Sequence, residues 1–291
     1  MAIAATSLNI IGKGAFGTAL ARLYSNAGFQ LCLHGRDFPV HPSGRLIVLA
    51  VPTKSLSGVL ERLKPDPAQV LVLCCKGLLP SGAVPSSLVS PSQRFAILSG
   101  PGFADELGAL LPTAHSIAAQ ASLAKHLAQT LSTPSFRLYW SDDPIGTQVC
   151  GAFKNVLAIA AGVARGLVLG ENARAALITR GAAEMRRLVV ASGGREQTLW
   201  SPAGIGDLVL TCSSPTSRNF RFGELLASGM PADEAAGAIG TVEGLFALSG
   251  VLAMVPDEQA PIAAMLRDIV EARTKASDAV ALLMDRPVRP A

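Results

Sequence analysis

Short uninterrupted apolar runs alternate with helix-period segments through the first half of the chain. Ser7–Ile11 reads as a strand, followed by a glycine loop and a helix from about Ala15 to Ala27. Gln30–Leu33, Arg45–Val51, Val70–Cys75, Phe95–Leu98 and Ser116–Ala119 continue the strand series, and Phe136–Trp140 closes it. Such alternation is the signature of a parallel α/β sheet. Ser141-Asp142-Asp143-Pro144 then supplies turn and helix-start chemistry. Beyond Asp143 the texture changes to alanine-rich helical patterns, as in Gln148–Ala164, Asn172–Ala191 and Ala232–Ala238, without a convincing strand. The pattern therefore predicts a Rossmann-like doubly wound parallel sheet over residues 1–141 and an all-helical domain over 142–291. Arg286–Pro290 reads as a loose tail.

Composition narrows the possibilities. At roughly 150 residues per domain, 291 residues suggest about two domains. Apolar residues make up 49% of the chain, which excludes general disorder and allows a sizeable core. Lys and Arg number 25 against 21 Asp and Glu, leaving a net charge of +4. That excess is too thin and scattered for nucleic acid, and 5% aromatic residues provide no base-stacking platform. It does suit a small anionic substrate. Cys32, Cys74, Cys75, Cys150 and Cys212 are odd in number and lack C-x-x-C spacing. Neither a disulfide framework nor a zinc ribbon follows, and a reducing cytoplasm is the expected compartment. Four histidines without an H-E-x-x-H arrangement argue against a metal site. The mean hydropathy of +0.40 raises the question of a membrane. The most apolar stretch, Asn155–Ala164, lies between Lys154 and Arg165, short of the ~20 apolar residues a span needs. The N-terminus has no basic leader region, so no secretory signal is expected. Alanine- and glycine-rich helices suit packing between subunits, and a homodimer is expected.

Gly12-Lys13-Gly14-Ala15-Phe16-Gly17 fits G-x-G-x-x-G in its required context, after the first strand and opening a helix. Its glycines tighten the turn and let backbone N–H groups approach a pyrophosphate. No G-K-[ST] follows at the spacing of a P-loop. After the second strand the chain reads His34-Gly35-Arg36-Asp37. An acidic residue there would bind the ribose of NAD, and an arginine would accept the 2′-phosphate of NADP. Arg36 comes first and can also stack on adenine, which inclines the reading to NADP over NAD.

Lys154 stands among apolar neighbours on a predicted helix, Cys150–Leu157. Desolvation lowers a lysine pKa and makes a proton donor or acceptor for neutral pH. Taken alone, Lys154 reads first as a lysine snorkelling to water. Gly204-Ile205-Gly206-Asp207-Leu208 leads through Thr211 to Ser217-Arg218-Asn219, a fork of donors suited to phosphate at a helix start. Asp207 by itself could be a plain turn aspartate. The combination says more than any member.

With these blocks the chain resembles the bacterial NAD(P)-dependent glycerol-3-phosphate dehydrogenases over nearly its whole length. The resemblance is carried by GKGAFGTALA (12–21), AVP (50–52), KGL (76–78), LSGPGFA (98–104), GAFKNVLAIAAG (151–162) and NARAALITRGAAEM (172–185). GIGDLVLTC (204–212), SRNFRFG (217–223) and VEG (242–244) complete it. It implies hydride exchange between NAD(P)H and dihydroxyacetone phosphate, giving glycerol 3-phosphate for phospholipid synthesis. It also implies that Lys154 is the catalytic proton donor and acceptor. Lys76 would sit where cofactor and substrate meet, and Asp207 would orient Lys154, with Thr211 close by. Ser217, Arg218 and Asn219 would hold substrate phosphate, Arg218 also facing the cofactor. Gly100, Gly102 and Ala104 would line the junction, and Val242 and Glu243 the far wall of the cofactor site. Two departures stand out. Relatives usually carry a hydroxyl residue at the position of Gly102. They also place a helix, a long loop and an extra strand where this chain has only Phe38–Gly44. In the order 3-2-1-4-5-6 the missing strand is an edge, and about ten residues at ~3.3 Å each can cross one strand. Alternatives are a related 3-hydroxy acid or sugar-acid dehydrogenase, or a dinucleotide-binding protein without chemistry.

Overall fold

The computed structural model describes residues 7–279. The expected tail at Arg286–Pro290 lies outside them. In chain order the first half contains β1 (Leu8–Ile11), α1 (Ala15–Asn26), β2 (Leu31–His34), β3 (Leu46–Leu49), α2 (Leu56–Arg62), β4 (Val70–Leu73) and β5 (Arg94–Ser99). Then come α3 (Ala104–Gly108), β6 (Thr113–Ala118), α4 (Ala121–Leu131) and β7 (Phe136–Ser141). The seven strands form one sheet in the order β2-β1-β3-β4-β5-β6-β7.

Alternate residues of the central strands serve opposite faces, and both are apolar. Leu8, Ile10, Leu46, Val48, Val70 and Val72 pack with α1 and α4. Ile11, Ile47, Leu49, Leu71 and Leu73 pack on the other side with Leu56, Leu63 and Phe38. Burial on both faces is why these strands read as unbroken apolar runs. One expectation needs correction: the sheet is not wholly parallel, because β6 runs antiparallel to β5, with Leu98 opposite Ile117. The link between them, residues 100–112, holds only the short helix α3 and no full-length crossover helix of the kind that usually joins parallel neighbours.

β2 is one edge strand of the sheet, β7 the other, and the missing additional strand leaves the rest of the sheet intact. The short link after β2 crosses β1 and is held by side chains where a helix is absent. Arg62 donates to the carbonyls of Arg36 (2.7 Å) and Phe38 (2.8 Å), with its guanidinium 4.5 Å over the Phe38 ring. Gln69 Nε2 donates to the carbonyls of Pro42 (2.7 Å) and Gly44 (2.6 Å), and Asn9 donates to that of Ser43.

From Pro144 the described chain is helical: α5 (Pro144–Gly166), α6 (Gly170–Ala191), α7 (Asp207–Ser213), α8 (Arg218–Ala227), α9 (Ala232–Ile239), α10 (Glu243–Met254) and α11 (Pro261–Val270). Pro144 occupies the first turn of α5, and the Asp143 carboxylate caps its start by accepting from the Gly146 N–H. The apolar stretch seen in the sequence is part of this 23-residue helix, long and apolar enough to span a bilayer by length and composition. It is instead the axis of the helical core, fully buried among Met185, Leu188, Leu208, Phe220 and Val251. α8 crosses it in backbone contact: a Cβ at Gly162 would lie 1.9 Å from the Phe220 carbonyl oxygen. That approach brings the start of α8 beside the middle of α5.

Candidate active site

The carboxyl ends of β1, β3, β4 and β5 open onto the helical half, where a cleft of about 610 Å³ lies between them. This is where a doubly wound sheet presents its ligand-binding edge. The glycine loop forms one end. Gly12 has φ +122°, and a Cβ there would fall 2.2 Å from the Ala50 carbonyl oxygen. A Cβ on Gly17 would fall 2.0 Å from the Gly12 carbonyl oxygen, so α1 rests directly on the loop. Gly14, by contrast, faces open space and lines the cleft with Ala15 and Phe16. The start of α1 has no side-chain cap, so its N–H groups are left for an incoming anion. These features fit the pyrophosphate of a dinucleotide.

At the centre, three ionisable groups are drawn together from the segment after β4, from α5 and from α7. Asp207, 1% exposed, accepts from Lys76 Nζ at 2.6 Å on Oδ2 and pairs with Lys154 Nζ at 3.0 Å on Oδ1. Lys76 also donates to the Gly100 carbonyl (2.8 Å), and Lys154 to Thr211 Oγ1 (2.9 Å). Thr211 lies one turn beyond Asp207 and donates to its Oδ1 at 3.1 Å. An ammonium has three donors, so each lysine keeps one N–H beyond these contacts for a ligand. Lys154 does not snorkel; it is 7% exposed and points inward. Burial pushes its pKa below the ordinary 10.5, Asp207 opposes this, and the like charge of Lys76 adds to the fall. Burial alone would raise the Asp207 carboxyl, but the two ammonium groups outweigh it and hold it below the usual range.

The third wall comes from the starts of α8 and α10. Ser217 caps α8 by accepting from the Phe220 N–H, and Arg218 is exposed beside it. Both line the cleft, as do Asn219 and Glu243. The Asn219 amide is committed within the protein: it donates to Asn155 Oδ1 (2.9 Å) and accepts from the Gly244 N–H (2.9 Å). Asn155 in turn donates to the Lys76 carbonyl at 3.0 Å. This amide chain ties α5, α8, α10 and the Lys76 segment together. Burial raises the Glu243 carboxyl, against the pull of Lys154, Lys76 and Arg218.

Most of the site residues expected from sequence meet here. Gly102 and Ala104 line the cleft, whereas Gly100 contributes through its carbonyl to Lys76. Val242 is buried behind Glu243, outside the lining. Arg36 is exposed at the end of β2 and also lies outside it. Sequence reasoning passed over Asn155, although it follows Lys154 directly in an apolar helix.

A doubly wound sheet ending on a glycine loop, closed by a helical domain with a buried lysine paired to an aspartate, defines the class of two-domain dinucleotide-dependent dehydrogenases. Residues 40–125 match the NAD-dependent glycerol-3-phosphate dehydrogenase N-terminus, and residues 143–281 match the corresponding C-terminus. The chain belongs to this NAD-dependent glycerol-3-phosphate dehydrogenase family. It is 42% identical to the glycerol-3-phosphate dehydrogenase [NAD(P)+] of Cereibacter sphaeroides, covering 97% of this chain and 99% of the relative. The enzyme of the same name from Methylobacterium radiotolerans is 40% identical, with 98% of each chain covered. Among solved structures, the glycerol-3-phosphate dehydrogenase of Coxiella burnetii superposes with a TM-score of 0.89 at 35% identity, covering 97% of this chain and 99% of that one.

Proposed function

We propose that the chain interconverts dihydroxyacetone phosphate and sn-glycerol 3-phosphate with NAD(P)H, its product serving phospholipid synthesis. The observation that carries this reading is the Lys76–Asp207–Lys154 cluster facing the glycine loop across one cleft. Bound reduced nicotinamide supplies the hydride for the substrate carbonyl carbon. Lys154, two of whose three N–H donors are fixed by Asp207 and Thr211, gives its proton to the carbonyl oxygen and takes it back in the oxidation. Asp207 keeps the ammonium oriented and charged enough to donate. Lys76, pinned by Asp207 and the Gly100 carbonyl, holds the substrate oxygen at the junction. Gly12, Gly14, Ala15, Phe16 and Gly17 take the pyrophosphate end of the cofactor, with Ala104 and Glu243 flanking it. Ser217 and Arg218 at the start of α8 take the substrate phosphate. Asn219 acts by holding Asn155 and α10 in place. Binding at the phosphate orients the carbonyl toward the nicotinamide.

In this reading residues 1–141 form the cofactor half and 142–291 the substrate half of a cytoplasmic enzyme acting as a homodimer. Arg36 favours NADP. The experiment is direct: the purified chain should oxidise NADPH or NADH only when dihydroxyacetone phosphate is supplied. Lys154→Ala should abolish turnover while retaining cofactor binding. Normal turnover in that variant would overturn the assignment.

A further inference from the structure

His115 sits in β6 with 0% exposure, and neither ring nitrogen has a well-formed hydrogen bond among the described residues. A buried polar group left this way is destabilising, so an apolar side chain would serve better if packing were its whole task. The ring lies 4.8 Å from Phe136 and is stacked at 6.3 Å on Phe16. Phe16 and Gly102 both line the cleft. A Cβ built on Gly102 would stand 2.7 Å from His115 Cε1 and 3.0 Å from Nε2. A Cβ on Gly100 would stand 2.9 Å from its Cγ. The 100–102 turn therefore wraps the imidazole, and its Nε2 edge is the layer directly behind the Gly102 backbone. Position 102 and His115 share one side-chain volume.

We propose that this shared volume is a specificity element: His115, reaching past the absent side chain of Gly102, supplies a neutral hydrogen-bonding group for the uncharged hydroxyl end of the substrate. The inference rests on the function proposed above. Charge favours the hydroxyl over the phosphate. Burial and the nearby Lys76 push the imidazole down to about 3, so the ring is neutral at any working pH. A neutral imidazole offers one donor and one acceptor, as a hydroxyl does. The anionic end already has the Arg218 guanidinium and Ser217 at the start of α8. Contact requires the turn at 101–103 to yield slightly, and a residue without a side chain has nothing to repack. That turn is coupled to the histidine's strand, since Thr113 Oγ1 donates to the Pro101 carbonyl at 2.6 Å.

The test compares the full-length wild type with His115→Leu, His115→Gln, Gly102→Ser and the double variant His115→Ala/Gly102→Ser. Readouts are KM for dihydroxyacetone phosphate, KM for NADPH and thermal stability. His115→Leu should keep or raise stability, leave KM for NADPH alone and raise KM for the ketone about tenfold, near 1.4 kcal/mol. His115→Gln, which keeps a donor and an acceptor, should stay within about threefold of wild type, under 1 kcal/mol. Gly102→Ser alone should lose activity because its side chain meets the ring, whereas the double variant should recover ketone KM. Unchanged ketone KM in His115→Leu overturns the inference, and so does an effect confined to NADPH. Should the leucine variant fail to fold, no recovery in the double variant is equally decisive. An inactive wild type would instead sink the proposed function, and this inference with it.

Discussion

Replacing Asp207 by asparagine tests the buried cluster as an electrostatic unit. The carboxylate meets Lys76 Nζ at 2.6 Å and Lys154 Nζ at 3.0 Å with almost no exposure. At an effective dielectric of ~20, each contact is worth roughly 5 kcal/mol of attraction, and desolvating three charges takes back much of it. Removing one partner from a buried pair costs about 3–5 kcal/mol, because the charge left behind has no compensation. Here two ammonium groups would face one neutral amide. Lys154 has the cheaper escape: its pKa is already lowered by burial, and without Asp207 it falls further, so the proton is given up at lower pH. That relief puts the expected loss at the lower end, about 3 kcal/mol in denaturant unfolding. Deprotonation removes the proton donor, so kcat for ketone reduction should fall by roughly 10²–10⁴. The alkaline limb of the reduction profile should move to lower pH. Asparagine keeps the volume and an acceptor for Thr211, so NAD(P)H affinity should hold. A variant within about 1 kcal/mol of wild-type stability and with an unmoved alkaline limb would refute the reasoning.

In the proposed mechanism, reduction by the wild type needs protonated Lys154. Its rate should fall as pH climbs through a pKa below 10.5, while the reverse oxidation gains over the same interval; coincident, flat profiles would remove Lys154 as the proton carrier. Arg218→Ala should raise KM for dihydroxyacetone phosphate by about 10–100-fold, the worth of a charge-assisted contact, without slowing any reaction of unphosphorylated dihydroxyacetone. Equal effects on both ketones would detach Arg218 from the phosphate. Gly17→Ala places a Cβ 2.0 Å from the Gly12 carbonyl oxygen and should push α1 off the loop, weakening NADPH binding by at least about tenfold in a fluorescence titration. Wild-type affinity there would contradict the cradle. Alkylation at neutral pH should label exposed Cys32 and spare Cys74, Cys75, Cys150 and Cys212. Burial raises these four thiols, Cys75 to about 12. Mass spectrometry showing modification of Cys74, at the cleft, would count against that.

The strands and the glycine loop were readable because their signals are local. Val70–Leu73 is apolar at every position since both faces of β4 are covered. The direction of β6 was not readable, because period-two burial is the same whichever way a strand runs. The two readings of Lys154 could not be separated by periodicity either. α5 is buried all round, so no polar stripe marks which way a lysine points. Asp207 settles it from 53 residues away, through a contact that spacing does not encode. His115 looks like one more strand residue until the Gly102 backbone is seen against its ring. The link after β2 shows the converse: Phe38 is the only large apolar side chain it buries, and the polar residues that hold it come from β1, α2 and the turn before β4.

The cluster's composition explains why one lysine would not suffice. A single ammonium this deeply buried would hold its proton weakly and would serve better as acceptor than as donor. A lysine–aspartate pair would hold the proton too firmly and would carry no net charge to attract a phosphate ester. Two lysines on one carboxylate leave a surplus of one positive charge, with both ammonium groups oriented. Lys76 lowers the affinity of Lys154 for its proton while Asp207 raises it. The balance suits a reversible reaction, in which the same nitrogen must release a proton in one direction and recover it in the other. Substituting Lys76 by methionine should therefore raise the pKa of Lys154 and shift the reduction profile to higher pH. Asp207→Asn moves it the opposite way, and that pair of opposed displacements is what a bystander lysine could not produce.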